Sequence, residues 1–83
     1  MAAVYVLLSI KTGKKYIGST TKDPKERLCE HNSGQVPWTS KHRPLKLIYT
    51  ENFDNVDMAQ KRERFFKTGK GRTVLESLLR EKQ

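Results

Sequence analysis

Residues 3 to 20 read AVYVLLSIKTGKKYIGST, and the fold turns on how they are divided. Ala3 to Ser9 is a continuous apolar run of strand length, as expected of a buried central strand. The stretch IKTGKK puts Gly13 among lysines and a threonine and reads as a turn, after which Lys15 to Ser19 forms a second strand. Together they predict a β-hairpin. Two features do not fit a hairpin built for packing alone. Gly18 contributes no side chain to pack, and the Tyr16 hydroxyl needs a polar partner wherever it lies. If paired residue numbers add to an odd sum, Tyr5 and Tyr16 share one sheet face.

Downstream, Asp23-Pro24-Lys25-Glu26 announces a helix, with Asp at the N-cap, Pro at the first helical position and Glu three residues after the cap. It runs to about Asn32 and stops at Ser33-Gly34. Gln35 to Arg43 has turn residues and no period, and is expected to be a basic loop carrying the sole tryptophan, Trp38. Pro44 opens a third strand, LKLIYTE, in which Leu45, Leu47 and Tyr49 alternate with Lys46, Ile48 and Thr50. Asp54 or Asn55 caps a second helix over Val56 to Thr68, ended by Gly69. Met58, Ala59, Phe65 and Phe66 form its apolar stripe, with Lys61, Arg64 and Thr68 facing solvent. A last helix over Thr73 to Lys82 packs through Val74, Leu75, Leu78 and Leu79. The order ββαβαα describes an α/β sandwich, a single domain over residues 1–83.

Composition narrows the function classes. With 83 residues, 35% hydrophobic, there is room for one small core and no second module. No apolar run approaches the roughly 18 residues that span a bilayer, and MAAVYVLLSI lacks the basic start and cleavage pattern of a signal peptide. An intracellular protein is expected, cytoplasmic or nucleoid-associated if bacterial, with no membrane partner. The single cysteine, Cys29, cannot form an internal disulfide. A net charge of +8 favours a polyanionic partner. The excess is concentrated, since Lys61 to Arg72 holds six cations and one acid, Glu63. A solvated surface is the plain alternative.

Arg27 and His31 are four residues apart and so emerge from one face of the first helix. Taken alone they could be surface residues, but that helix has few apolar positions besides Leu28, so its sheet-facing side is expected to include the pair. Glu63 falls on the line of Ala59 and Phe66, where a partly desolvated carboxylate costs several kcal/mol unless a cation or metal meets it, by order-of-magnitude estimates. A neighbouring Lys or Arg would satisfy it; a hard divalent ion is the rival. Two tyrosines, an Arg/His pair and a lone acid form a set suited to phosphodiester hydrolysis. Tyrosine can position or deprotonate water, Arg presents a fork to phosphate oxygens, and a carboxylate-held metal stabilises developing charge. Gly18 would let a phosphate backbone approach the strand. Cys29, His31 and His42 match no common zinc spacing. Tyr16, Trp38 and Tyr49 among basic residues could instead stack on single-stranded nucleic acid, or be core.

In these residues the chain resembles the GIY-YIG nuclease family over essentially its whole length. Val4-Tyr5-Val6 and Tyr16-Ile17-Gly18 stand for the two signature triplets, followed by Arg27, His31 and Glu63 in the family's order. Trp38-Thr39, Arg43 to Tyr49 and Arg62-Glu63 resemble its small stand-alone members. The resemblance implies a three-stranded antiparallel sheet flanked by about three helices and a metal-dependent endonuclease that cuts DNA by a single-metal mechanism. It implies that Glu63 ligates Mg²⁺ or Mn²⁺ and that Arg27 stabilises the charged transition state. Tyr5 or Tyr16 would act as or orient the general base, and His31 would take a proton from a tyrosine. An ordinary tyrosine titrates near 10, so Arg27, the metal or a lysine such as Lys15 would have to assist. Valine replaces both flanking residues of the first triplet, and the C-terminal asparagine of some members has no counterpart. Lys15, Lys41, Arg43, Lys61, Arg64, Lys67 and Lys70 are the expected contacts to the DNA backbone. The expected substrate is DNA, branched or otherwise structured, with a homodimer or protein partner supplying specificity. The alternative is a nucleic-acid-binding domain without intrinsic cleavage.

Overall fold

The computed structural model describes residues 1–35 and 37–81, and for Pro37 and Trp38 only the backbone; the expectations for the Trp38 ring and for Lys82 fall outside the described residues. The hairpin forms as expected. Strand β1 (Ala2–Ser9) pairs antiparallel with β2 (Lys15–Thr20), and Gly13 takes a positive φ of 76° in the turn between them. Tyr5 stands opposite Gly18 and Leu7 opposite Tyr16, the odd-sum register, so Tyr5, Leu7 and Tyr16 share a face. Strand β3 (Leu45–Phe53) lies antiparallel on the other side of β1, giving the order β2-β1-β3. The antiparallel three-stranded sheet and the element order ββαβαα, read over the longer helices, agree with the sequence.

Helices cover both sheet faces. Helix α1 (Pro24–Asn32) starts where the Asp23 carboxylate accepts the Lys25 backbone N–H at 2.9 Å. It packs on the face that carries Tyr5, Leu7 and Leu45, with Leu28, Leu47 and Tyr16 around them. Asn32 pins its end to β3 by exchanging two hydrogen bonds with the Leu45 backbone, at 2.8 and 3.0 Å. Helices α3 (Val56–Phe66) and α4 (Gly69–Glu81) lie on the opposite face. There Val4, Val6, Tyr49, Ala59, Phe66 and Leu75 form the main core, backed by Ile17, Phe65 and Leu78. Arg62 lies over the Phe66 ring at 4.4 Å and makes two bonds to Glu51, which also accepts the Tyr49 hydroxyl, so the rim of this core is tied by charge.

Four expectations are corrected. The loop after α1 contains a one-turn helix, α2 (Pro37–Ser40), begun by a proline suited to a first helical position. The alternation of Leu45, Leu47 and Tyr49 breaks at a bulge: Leu7 pairs with Leu47 but Val6 with Tyr49, leaving Ile48 extra. Leu45 and Leu47 therefore face α1, whereas Tyr49 faces α3 and α4. Met58, expected in the buried stripe, is 47% exposed, because the covered side of α3 is centred on Ala59 and Phe66. Finally, α3 ends at Phe66 and α4 begins at Gly69, earlier than the expected Thr73. The Thr68 hydroxyl accepts the Gly71 N–H at 2.9 Å as a cap, and the first turn of α4 sits so close to α3 that a Cβ on Gly71 would fall 1.6 Å from the Phe65 carbonyl oxygen.

Candidate active site

On the α1 face, two tyrosines and a histidine are stacked. The Tyr5 and Tyr16 ring centroids are 6.2 Å apart, and His31 lies 4.8 Å from Tyr16 and 5.8 Å from Tyr5. His31 has no exposed surface, and both ring nitrogens are engaged: Nε2 with the Tyr5 hydroxyl at 3.0 Å and Nδ1 with Thr39 Oγ1 at 2.7 Å. Burial, joined by the nearby Arg27 charge, pushes the His31 pKa down, so the imidazole is held neutral with one nitrogen free to accept. Thr39 is likewise fully buried, and α2 is the element that puts it there.

Tyr5 is 1% exposed, and burial raises its pKa above the ordinary tyrosine value despite Arg27, whose polar contact and charge pull the other way. The Tyr5 contact is also the largest cause of a raised Arg27 pKa, and Glu30 adds to it. Glu30 fixes the guanidinium through a 2.6 Å bond and is itself bonded by Lys22 at 2.8 Å. Gly18 faces this cluster from β2. A Cβ there would lie 2.6 Å from the Tyr5 hydroxyl oxygen and 3.0 Å from the Tyr16 ring, so the position is glycine because Tyr5 crosses over it.

Glu63 reaches the same strand from the other side. Side chains alternate along β2, so Ser19, next to Gly18, faces α3, and its hydroxyl donates to Glu63 Oε1 at 2.6 Å. The Lys67 ammonium, one turn along α3, takes Oε2 at 2.7 Å. Desolvation raises the Glu63 pKa, but the Lys67 and Ser19 bonds and the Lys67 and Arg64 charges outweigh it, and the carboxyl stays below the usual range. Glu63 therefore meets the edge strand β2 on the α3 face, one residue along from Gly18 but on the face opposite the tyrosines. The structure thus brings Tyr5, Tyr16, Arg27 and His31 into contact and holds Glu63 at the adjoining edge. As a metal ligand Glu63 fits a hard divalent ion: an ionised, partly exposed oxygen donor whose partner Lys67 is a half-exposed cation. Among the described residues no group of three or more His, Cys, Asp or Glu offers a denser metal site.

The remaining expected residues scatter more widely. Lys15, which the sequence reading placed near the tyrosines as an aid to ionisation, projects to the α4 face and pairs with Glu76 at 3.2 Å. Lys41 and Arg43 line a groove with Lys11 and Asn32 beside α2, and Lys61, Arg64 and Lys70 are exposed. Ser19, Glu30 and Thr39 are the polar partners that sequence reasoning passed over. The alternation along β2 pointed to Ser19, and the i,i+3 spacing pointed to Glu30; nothing local in the sequence pairs Thr39 with His31.

Residues 1–75 match the family model described as GIY-YIG catalytic domain, and the chain belongs to that family. It is a family of nuclease type that acts on DNA and generally uses divalent metals. Among similar proteins is UPF0213 protein spr1390 of Streptococcus pneumoniae (strain ATCC BAA-255 / R6), 41% identical over 83 residues, covering 99% of this chain and 81% of the relative. A UPF0213 protein of Enterococcus faecalis is 44% identical over 66 residues, 76% of this chain and 73% of the relative. UPF0213 protein SSP2268 of Staphylococcus saprophyticus is 40% identical over 63 residues, 75% and 76% of the two chains. No solved structure matches significantly. Among the described residues no helix is long and apolar enough to cross a membrane.

Proposed function

We propose that this protein is a divalent-metal-dependent endonuclease that hydrolyses DNA phosphodiester bonds. The observation that carries the reading is the meeting of Tyr5, Tyr16, Arg27 and His31, with Glu63 at the edge of the same strand. In this reading the Tyr5 hydroxyl donates to neutral His31 Nε2, 3.0 Å away, and Nδ1–H donates to the Thr39 hydroxyl at 2.7 Å. As the attacking water gives its proton to the Tyr5 oxygen, the Tyr5 hydroxyl proton passes to His31 Nε2, so the phenol acts as a relay and the imidazole ends protonated. Tyr16, part-exposed at the sheet edge, orients that water. Arg27 is held by Glu30 through one nitrogen, which leaves further N–H donors for the pentacovalent phosphate. Mg²⁺ or Mn²⁺ on Glu63 would supply electrostatic stabilisation of the charge on the phosphate and leaving oxygens. Ser19 would keep the carboxylate aimed, and Lys67 would turn from Glu63 toward the substrate.

Lys41 and Arg43 beside α2, and Lys61, Arg64 and Lys70 on the other flank, would carry the DNA backbone to the site. In this reading selectivity would come from substrate shape, self-association or a protein partner. An intracellular location, with access to DNA, belongs to the same reading. The test is incubation with supercoiled plasmid and with flapped or branched oligonucleotides in Mg²⁺ or Mn²⁺, beside Arg27→Ala and Glu63→Gln. The parent should cleave, with each variant slower by about 10²–10³-fold; equal cleavage by all three refutes the site. One observation favours binding without cleavage instead: both Glu63 oxygens already have partners. Retention of DNA with no cleavage under either metal would select that reading.

A further inference from the structure

Between β2 and the start of α4 lies a cavity of about 750 Å³ that the hydrolytic reading touches only at Tyr16 and Lys67. It is lined by Lys14, Lys15, Lys67 and Arg72 against a single carboxylate, Glu76, with Tyr16 on its wall and Ile17 and Leu75 as an apolar floor. The charge is not internally balanced. Glu76 engages Lys15 and Glu63 engages Lys67, whereas neither Lys14 nor Arg72 meets a carboxylate among the described residues. Like charges gathered in a concavity raise each other's cost, and a bound polyanion removes that cost while releasing counterions. The floor adds a second requirement. A free phosphate has no use for Ile17 and Leu75, while a sugar or an unstacked base buries apolar surface there.

We propose that this cavity is a subsite for an unpaired stretch of DNA strand leading away from the scissile bond, with Lys14 and Arg72 as its phosphate contacts and the Lys15–Glu76 pair as the bar that the strand displaces. The subsite deepens the nuclease reading and rests on it for the identity of the strand. Two features connect cavity and site: Tyr16 borders both, and Lys67 spans from Glu63 to the cavity wall. A size of about 300–1,000 Å³ suits a small ligand or a nucleotide unit and is too confined for a duplex. Once a phosphate has drawn Lys15 from Glu76, the cavity offers the strand four cations.

The experiment reads binding apart from cleavage. A dye-labelled short single-stranded DNA is titrated in EDTA at several salt concentrations, with fluorescence anisotropy as the signal. The parent is compared with Lys14→Ala/Arg72→Ala and with Lys25→Ala/Lys46→Ala, a pair outside the cavity that removes the same charge. Losing two phosphate contacts lowers the slope of log affinity against log salt by about 1.4, at roughly 0.7 per contact on single strands; the control pair leaves the slope near the parent's. Glu76→Gln frees Lys15 and should bind more tightly than the parent, a gain that misfolding cannot imitate. Equal slopes for the two double variants, or no tightening in Glu76→Gln, overturn the subsite even if the parent cleaves DNA. Conversely, the expected slopes with no cleavage in metal keep the cavity and remove the nuclease reading. No binding even at low salt overturns the subsite outright.

Discussion

The two faces of the sheet are built on different principles. Behind α3 and α4 the contacts are hydrocarbon and aromatic: Val4, Val6, Phe66 and Leu75 exclude water, and Gly71 allows the helices to touch. Beneath α1 and α2 the buried volume holds a tyrosine, a histidine and a threonine joined by hydrogen bonds, with Arg27 at the rim. Such a cluster is no cheaper than apolar packing, because each member must find a partner or cost desolvation. A chain of 83 residues keeps it because the opposite face carries the stability and because the cluster presents a hydroxyl, an imidazole and a guanidinium together.

The division predicts that stability and cleavage fail separately. The largest loss should follow Phe66→Ala, about 3–5 kcal/mol for a fully buried aromatic and most of the stability of a domain this size. Gly71→Ala belongs with it, since the added methyl meets backbone rather than a side chain that can turn. Chemical denaturation measures both. Arg27→Ala should show the opposite profile, with cleavage down by about 10²–10³-fold and a midpoint close to the parent's. If it unfolds the protein as Phe66→Ala does, the division between the faces is false. Gly18→Ala should sit between them, since its methyl displaces Tyr5 at a cost of about 1–3 kcal/mol and disturbs the cluster at once.

Acid should act on the α1 face. His31 has a folded pKa below its unfolded value near 6.5, so the unfolded chain binds the extra proton more readily. Stability therefore rises with pH between the folded His31 value and about 6.5, and is lost as pH falls through that window. His31→Gln should flatten this part of the curve, as read from denaturation midpoints between pH 7 and 5. The smallest effect belongs to Lys67→Met: a half-exposed i,i+4 pair contributes about 0.3–0.5 kcal/mol. Binding of Mn²⁺, followed by titration calorimetry, should tighten because the competing ammonium is gone. Weaker Mn²⁺ binding in this variant would count against Glu63 as the ligand.

Local signals in the chain announced the hairpin, the Asp-Pro start of α1 and the four-residue spacing that puts Arg27 and His31 on one face. Each depends on neighbours within a turn or a strand pair, which is the range over which sequence patterns speak directly. What stayed hidden depends on contacts made after folding. Ile48 looks like any alternating residue until pairing with β1 forces a bulge. Gly69 reads as the end of a helix, yet α4 begins there, and the reason appears only in the packing of Gly71 against the Phe65 carbonyl. Lys15 reads as a neighbour of Tyr16, yet strand alternation sends it to the opposite face, where Glu76 waits. Thr39 lies eight residues from His31 across a turn whose geometry nothing nearby dictates. Glu63 was legible as a carboxylate needing a cation, and strand alternation put Ser19 on its face, but the bond between them depends on how α3 docks on β2.

In the proposed mechanism Glu63 and the Tyr5 cluster work as one unit across the edge strand. A cycle of Tyr5→Phe, Glu63→Gln and the double variant, read by the rate of plasmid cleavage in Mn²⁺, tests that directly. Residues of one catalytic unit are strongly non-additive, so the double variant should be hardly slower than the worse single one. Losses that multiply, or parent-level cleavage in either single variant, would contradict the claim.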